Sequence, residues 1–139
     1  MKKTYSVCII DDDEVYKFFI KRVLKIKKLA DNIMSFSDGE EAYNFIQKNK
    51  ENPEKLPDLI FLDINMPIMD GFQFMEEYTK IHPEIKKKIT IYMVTSSIDP
   101  IDLEHSKKYH EITDFIIKPV KADVLKRIID SLNETNKLS

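Results

Sequence analysis

At four points along the chain, groups able to do chemistry stand directly after an apolar run. Asp11-Asp12-Asp13-Glu14 follows Val7-Cys8-Ile9-Ile10, and Asp63-Ile64-Asn65 follows Leu59-Ile60-Phe61-Leu62. Thr95-Ser96-Ser97 follows Ile91-Tyr92-Met93-Val94, and Lys118-Pro119 follows Phe115-Ile116-Ile117. Carboxylates gathered in one place repel, and a divalent cation relieves that repulsion. Hard oxygen donors with few soft groups favour Mg2+ over Zn2+ or copper. A lysine offers a phosphoryl group a point charge, and a threonine offers it a hydrogen bond. A fold that brought these residues together would suit Mg2+-assisted phosphoryl transfer, with a carboxylate as possible nucleophile.

Each piece also has a plainer role. Acids after a strand often cap the next helix, which is the simpler reading of Asp13 and Glu14; for Asp11 and Asp12 both readings stand. A threonine at a strand end commonly makes a local hydrogen bond, Lys-Pro is commonly a turn, and Phe115 by alternation alone is packing. His82, His105 and His110 show no ligand spacing and read as solvated, as does the lysine run 86–88. The plain readings do not explain why acids, threonine and lysine all fall at strand ends.

The elements that would position these residues alternate regularly. Strands are expected over 5–10, 32–36, 58–63, 89–94 and 113–117, from short β-branched runs. A helix over 14–28 places Val15, Phe18, Phe19, Val23 and Ile26 on one face, with lysines opposite. Ser37-Asp38-Gly39-Glu40 has the form of a capping box opening a helix to about Lys48. Further helices are expected over 71–81, after Asp99-Pro100, and along the stripe Val120, Val124, Leu125, Ile128, Ile129, Leu132. Residues 49–57 read as a polar loop. Five βα units with apolar strands make an α/β, doubly wound, parallel five-stranded sheet covered on both faces. Such sheets bind ligands past the carboxyl ends of their strands.

Composition sets the boundaries. The 139 residues suit a single domain, 1–139, with its core over about 5–132 and a polar tail over 133–139. Twenty-two basic and twenty-four acidic residues give a net charge of -2, which argues against direct nucleic-acid binding. No apolar run reaches the roughly 18 residues of a membrane span, and the amino terminus does not read as a signal peptide. The lone Cys8 reads as a buried thiol, in keeping with a reducing cytoplasm.

The chain resembles the receiver domain of two-component response regulators, the CheY-like flavodoxin-type fold with strand order 2-1-3-4-5. The resemblance rests on Ile9-Ile10-Asp11-Asp12-Asp13, on the long stretch from Leu59 to Gly71 (LIFLDINMPIMDG), on Met93-Val94-Thr95-Ser96, and on Asp114-Phe115-Ile116-Ile117-Lys118-Pro119. It implies that Asp63 accepts a phosphoryl group from a phosphohistidine of a sensor histidine kinase or histidine phosphotransfer protein. Asp11, Asp12, Asp63 and the Asn65 backbone carbonyl would hold Mg2+. Lys118 would contact the phosphoryl oxygens, and Thr95 would close on them, moving the loop that begins at Ser96. Phe115 would be the switch aromatic, and Pro119 would follow a cis peptide that aims Lys118.

Phe115 stands where many members carry Tyr, so its switch would work by packing alone. Lys121 stands where a cap for the last helix is usual. Asn65 and Ser97 occupy positions that tune dephosphorylation in the family. The expected protein is a cytoplasmic, stand-alone regulator rather than an enzyme. Its output would be binding to a downstream protein, or onward relay, through the surface of helix four, strand five and helix five; pairing of two copies there is a further possibility. A haloacid-dehalogenase-type phosphatase would need an acid two residues past the nucleophile, where this chain has Asn65. An interaction module working without phosphorylation would not need the intact site.

Overall fold

A computed structural model describes residues 5–97 and 99–138, without the side chains of 134–138. The strands are β1 (Ser6–Ile10), β2 (Asn32–Phe36), β3 (Leu59–Asp63), β4 (Thr90–Thr95) and β5 (Ile112–Ile117). They pair in parallel in the order β2-β1-β3-β4-β5. The helices are α1 (Glu14–Ile26), α2 (Gly39–Lys48), α3 (Gly71–Ile81), α4 (Pro100–Ser106) and α5 (Ala122–Leu138). This is the expected CheY-like, flavodoxin-type α/β sandwich.

Strand periodicity divides the core in two. Cys8, Ile10, Ile60, Leu62, Ile91 and Met93 point to one face, where Ala42 and Ile46 of α2 and Phe74, Met75 and Tyr78 of α3 cover them. Val7, Ile9, Leu59, Phe61 and Val94 point to the other, under Ile20 and Leu24 of α1 and Leu125, Ile128 and Ile129 of α5. All five residues of β3 are buried. A fully buried Leu, Ile or Phe contributes about 1.5–3 kcal/mol, so this central strand anchors the domain. Cys8 is a free, buried thiol, and burial raises its pKa.

Four expectations need correcting. The inward face of α1 is Lys17, Ile20 and Leu24, whereas Val15, Phe18, Phe19 and Ile26 are exposed. The helix is turned by its anchors: Lys17, only 3 % exposed, is neutralised by Glu14 at 2.8 Å and reaches the Ser37 hydroxyl at 3.0 Å. A satisfied lysine thus takes an inward place that periodicity reserves for apolar side chains.

The cap of α2 is Asp38, one residue later than expected. Its carboxylate accepts from the Glu41 backbone N–H, while Glu41 reaches back to the N–H of Ser37. The capping box is instead at α3, where Asp70 and Gln73 each accept the other's backbone N–H.

The last helix runs on to Leu138, through most of the expected tail, and Asn133 accepts a hydrogen bond from Tyr5 at 2.8 Å. Ser139 lies outside the described residues. Nor are all the histidines and lysines read as solvated simply so: His105 stacks on Phe72 at 4.1 Å, His82 pairs with Glu111 at 3.3 Å, and Lys87 pairs with Asp58 at 3.3 Å and donates to the Leu56 carbonyl at 2.7 Å.

Candidate phosphoryl and metal site

Register explains why distant residues meet. Ile10 pairs with Leu62, so the next residues, Asp11 and Asp63, stand side by side past the strand ends. Asp63 pairs with Val94, which puts Thr95 beside the same edge. Thr95 pairs with Ile117, so Lys118 follows directly, its backbone N–H donating to the Thr95 carbonyl at 2.8 Å. The Lys118–Pro119 peptide is cis.

Asp11, Asp12 and Asp63 each offer a carboxylate oxygen, and these oxygens lie within 4.8 Å of one another. Asp11 and Asp63 are buried, whereas Asp12 opens to solvent. The Lys118 ammonium lies 2.9 Å from Asp11 Oδ2 and 3.7 Å from Asp63 Oδ2. The short contact is a charge pairing without hydrogen-bond alignment, since Asp11 Oδ2 is buried with no directed donor.

Electrostatics mark the pocket as short of positive charge. Burial, then the Asp11 carboxylate, push the Asp63 pKa up to about 6, against the opposing pull of Lys118 and the Asn65 backbone N–H. Burial pulls the Lys118 pKa down, but Asp11, then Asp63 and Asp13, outweigh it, and the net shift is upward. A donor set of three hard carboxylate oxygens, one without an aligned partner, fits a hard divalent cation.

Thr95 is buried, and its hydroxyl donates to the Ser97 carbonyl at 2.8 Å. Ser96 is exposed beside it, and Ile98, at the end of the expected mobile loop, lies outside the described residues. Phe115 is half-buried against the core under α2 and α3. Asn65 sits beyond the end of β3. Asp13 caps α1, accepting from the Val15 and Tyr16 N–H groups, in line with its plain reading.

Two contributions went unread in the sequence. Tyr16 lays its ring 4.7 Å from the Lys118 ammonium. The chain's two glycines both hold the β3–α3 segment: Gly71 donates to the Ile64 carbonyl and Gly39 to that of Met69. A Cβ would stand 2.5 Å from the Asp63 carbonyl at Gly71, and 2.7 Å from the Met69 carbonyl at Gly39. Neither glycine has positive φ, so close approach is their reason, and a count of glycines gives no such signal.

A family model described as "Response regulator receiver domain" matches residues 7–130. The chemotaxis protein CheY of Bacillus subtilis is 28% identical over 131 residues, covering 94% of this chain and 97% of that protein. The sensor histidine kinase CheAY of Helicobacter pylori is 29% identical over 125 residues, 90% of this chain but 14% of that protein. Among solved structures, the Mn2+-bound response regulator Rcp1 superposes with a TM-score of 0.71 at 24% identity, covering 91% of this chain and 90% of that one.

Proposed function

The chain belongs to the response regulator receiver family of two-component systems, and from that premise we propose that Asp63 is its phospho-acceptor. The observation that carries the proposal is the convergence on Asp63: two further carboxylates within 4.8 Å and an ammonium at 3.7 Å, all at strand ends. In the proposed step, an Asp63 carboxylate oxygen attacks the phosphorus of a phosphohistidine on a partner kinase or phosphotransfer protein. The O–P bond forms as the N–P bond breaks, and the imidazole nitrogen keeps the electron pair and takes up a proton.

Receiver domains bind a metal at the acidic pocket, and Mg2+ is the proposed ion here, held by Asp11, Asp12, Asp63 and the Asn65 carbonyl. Once bound, such a cation neutralises charge on the acceptor and on the transferring oxygens. Lys118 supplies a second positive charge on the side of β5. Its pKa shift keeps it protonated, so its role is electrostatic and not acid–base. Asn65, two residues past Asp63, has no proton to relay, which supports a transient acyl phosphate over multiple turnover.

The switch we propose begins at Thr95. Its hydroxyl now serves the Ser97 carbonyl, and a phosphoryl group on Asp63 would offer it a charged acceptor instead. Movement of Thr95 with Ser96 would open space for Phe115, which carries no hydroxyl and can report only by packing. The readout would be a downstream protein or a relay partner meeting α4, β5 and α5, where Ile101 and Ile117 are exposed. The match spans 97% of CheY but 14% of CheAY, so similar units occur both alone and within longer proteins. Among the described residues, no helix is long and apolar enough to cross a membrane.

The test is incubation with acetyl phosphate, with and without Mg2+, read by intact mass. The proposal expects one phosphate added in the presence of Mg2+ and its loss with a chelator. Uptake unaffected by chelation would contradict the metal's part. Sustained release of inorganic phosphate from small esters would favour a phosphatase.

A further inference from the structure

We propose that Tyr16 is a positioning residue: the face of its ring holds the Lys118 ammonium at the place from which it serves Asp63. The inference rests on the acceptor reading of Asp63 and adds to it a side chain outside the set of acids, threonine and lysine.

Asp11, Asp13, Tyr16 and Lys118 form a closed circuit of contacts. Asp11 Oδ1 accepts the backbone N–H of Asp13 at 2.9 Å. Asp13 Oδ1 in turn accepts the N–H of Tyr16 at 3.1 Å, which fixes Tyr16 in the first turn of α1. The Tyr16 ring lies 4.7 Å from Lys118 Nζ, and that ammonium returns to Asp11 Oδ2 at 2.9 Å. The ring is half-buried against the core under α1 and α5, so its place does not depend on the lysine. The Tyr16 hydroxyl has its pKa raised by burial, and then by Asp11, Asp63 and Asp13, which places the side chain within the field of the pocket.

A lysine tip is a point charge on a flexible stem, and by itself Asp11 would draw it away from Asp63. An aromatic face attracts a cation without accepting a directed hydrogen bond or forming a salt, and does so more strongly where water is partly excluded. Tyr16 therefore restrains the ammonium while leaving its protons available to Asp63 and to an incoming phosphoryl group. What matters is the face of the ring, not the hydroxyl.

The experiment compares wild type, Tyr16→Phe and Tyr16→Leu, using acetyl phosphate with Mg2+ and the initial rate of Asp63 phosphorylation by intact mass. Tyr16→Leu is expected to slow the reaction about 3- to 10-fold, and Tyr16→Phe to stay within about 2-fold of wild type. In a Lys118→Ala background, Tyr16→Leu should cause no further loss, as a residue acting through Lys118 requires. A second readout needs no phosphodonor: NMR of the Lys118 Hε protons should show an upfield ring-current shift in wild type and Tyr16→Phe that is lost in Tyr16→Leu. A wild-type rate in Tyr16→Leu, an equal slowing in the Lys118→Ala background, or no ring-current shift in wild type each overturns the role of Tyr16 alone. A wild type inert to a donor that works on a control receiver overturns the acceptor reading, and the positioning role with it.

Discussion

Lys118 pairs with Asp11 more closely than with Asp63, at 2.9 Å against 3.7 Å. The lysine therefore serves the buried carboxylate behind the acceptor, in a place a divalent cation would also occupy electrostatically. A cation bound by the acids would compete with this lysine for Asp11. Removing the lysine as Lys118→Ala should tighten Mg2+ binding several-fold, because one positive charge leaves the pocket. Without Mg2+ the same variant should lose about 1–2 kcal/mol of stability. That is less than a fully buried pair would lose, since Lys118 is partly exposed. Urea unfolding with and without Mg2+ checks both effects; equal Mg2+ affinity in the two proteins would contradict the competition.

The elevated pKa of Asp63 fixes the sign of a pH effect. Burial and Asp11 hold the group at about 6, against an ordinary value of 3.8. Between those values the folded state binds more protons than the unfolded one, so stability falls as pH rises through that window. Asp63→Asn removes the charge and should be the more stable protein at neutral pH without Mg2+, by about 1–2 kcal/mol once screening is allowed for. The gap should narrow as pH falls from 6 towards 4, and Mg2+ should reverse it by binding wild type better. Thermal unfolding across pH measures this; a gap independent of pH would contradict the assignment of charge strain to Asp63.

Gly71 gives the acceptor its backbone place. A methyl there would meet the Asp63 carbonyl at 2.5 Å and the Ile64 Cα at 3.0 Å, neither of which is a flexible side-chain end. Gly71→Ala should cost about 1–3 kcal/mol despite the entropy gained from losing a glycine. It should also slow phosphorylation, because Asp63 itself has to shift. Chemical denaturation and a phosphorylation time course read the two effects separately.

Ile68 lies in the same β3–α3 segment with φ 66, a left-handed conformation that a β-branched residue rarely adopts. It is 73% exposed, so packing does not explain it. Ile68→Asn should relieve the conformation and raise stability by about 1 kcal/mol, seen as a rise of about 2–6 °C in Tm. A lower Tm would show that the isoleucine side chain makes up for its backbone.

Much of the arrangement was legible in the sequence because register does the work. Apolar runs identified the strands, and strand ends identified Asp11, Asp63, Thr95 and Lys118, which parallel pairing must bring together. The face of α1 was not legible. Periodicity ranks Val15, Phe18 and Ile26 as inward, but the helix is turned by Lys17, whose partners Glu14 and Ser37 meet only in the folded chain. The α2 cap slipped by one residue for a similar reason: Ser37 and Asp38 both suit the role, and only the path out of β2 selects Asp38. The ring of Tyr16 was hidden too, because a tyrosine in a first helical turn carries no mark of what β5 will place above it.

The most direct test of the account is chemical trapping of the acceptor. Wild-type protein is phosphorylated with acetyl phosphate and Mg2+, treated with borohydride to reduce an acyl phosphate to the alcohol, and sequenced as peptides by mass spectrometry. The account predicts homoserine at position 63 and nowhere else, and none in Asp63→Asn. Homoserine at position 11 or 12, or phosphate that survives borohydride on another residue, would contradict it.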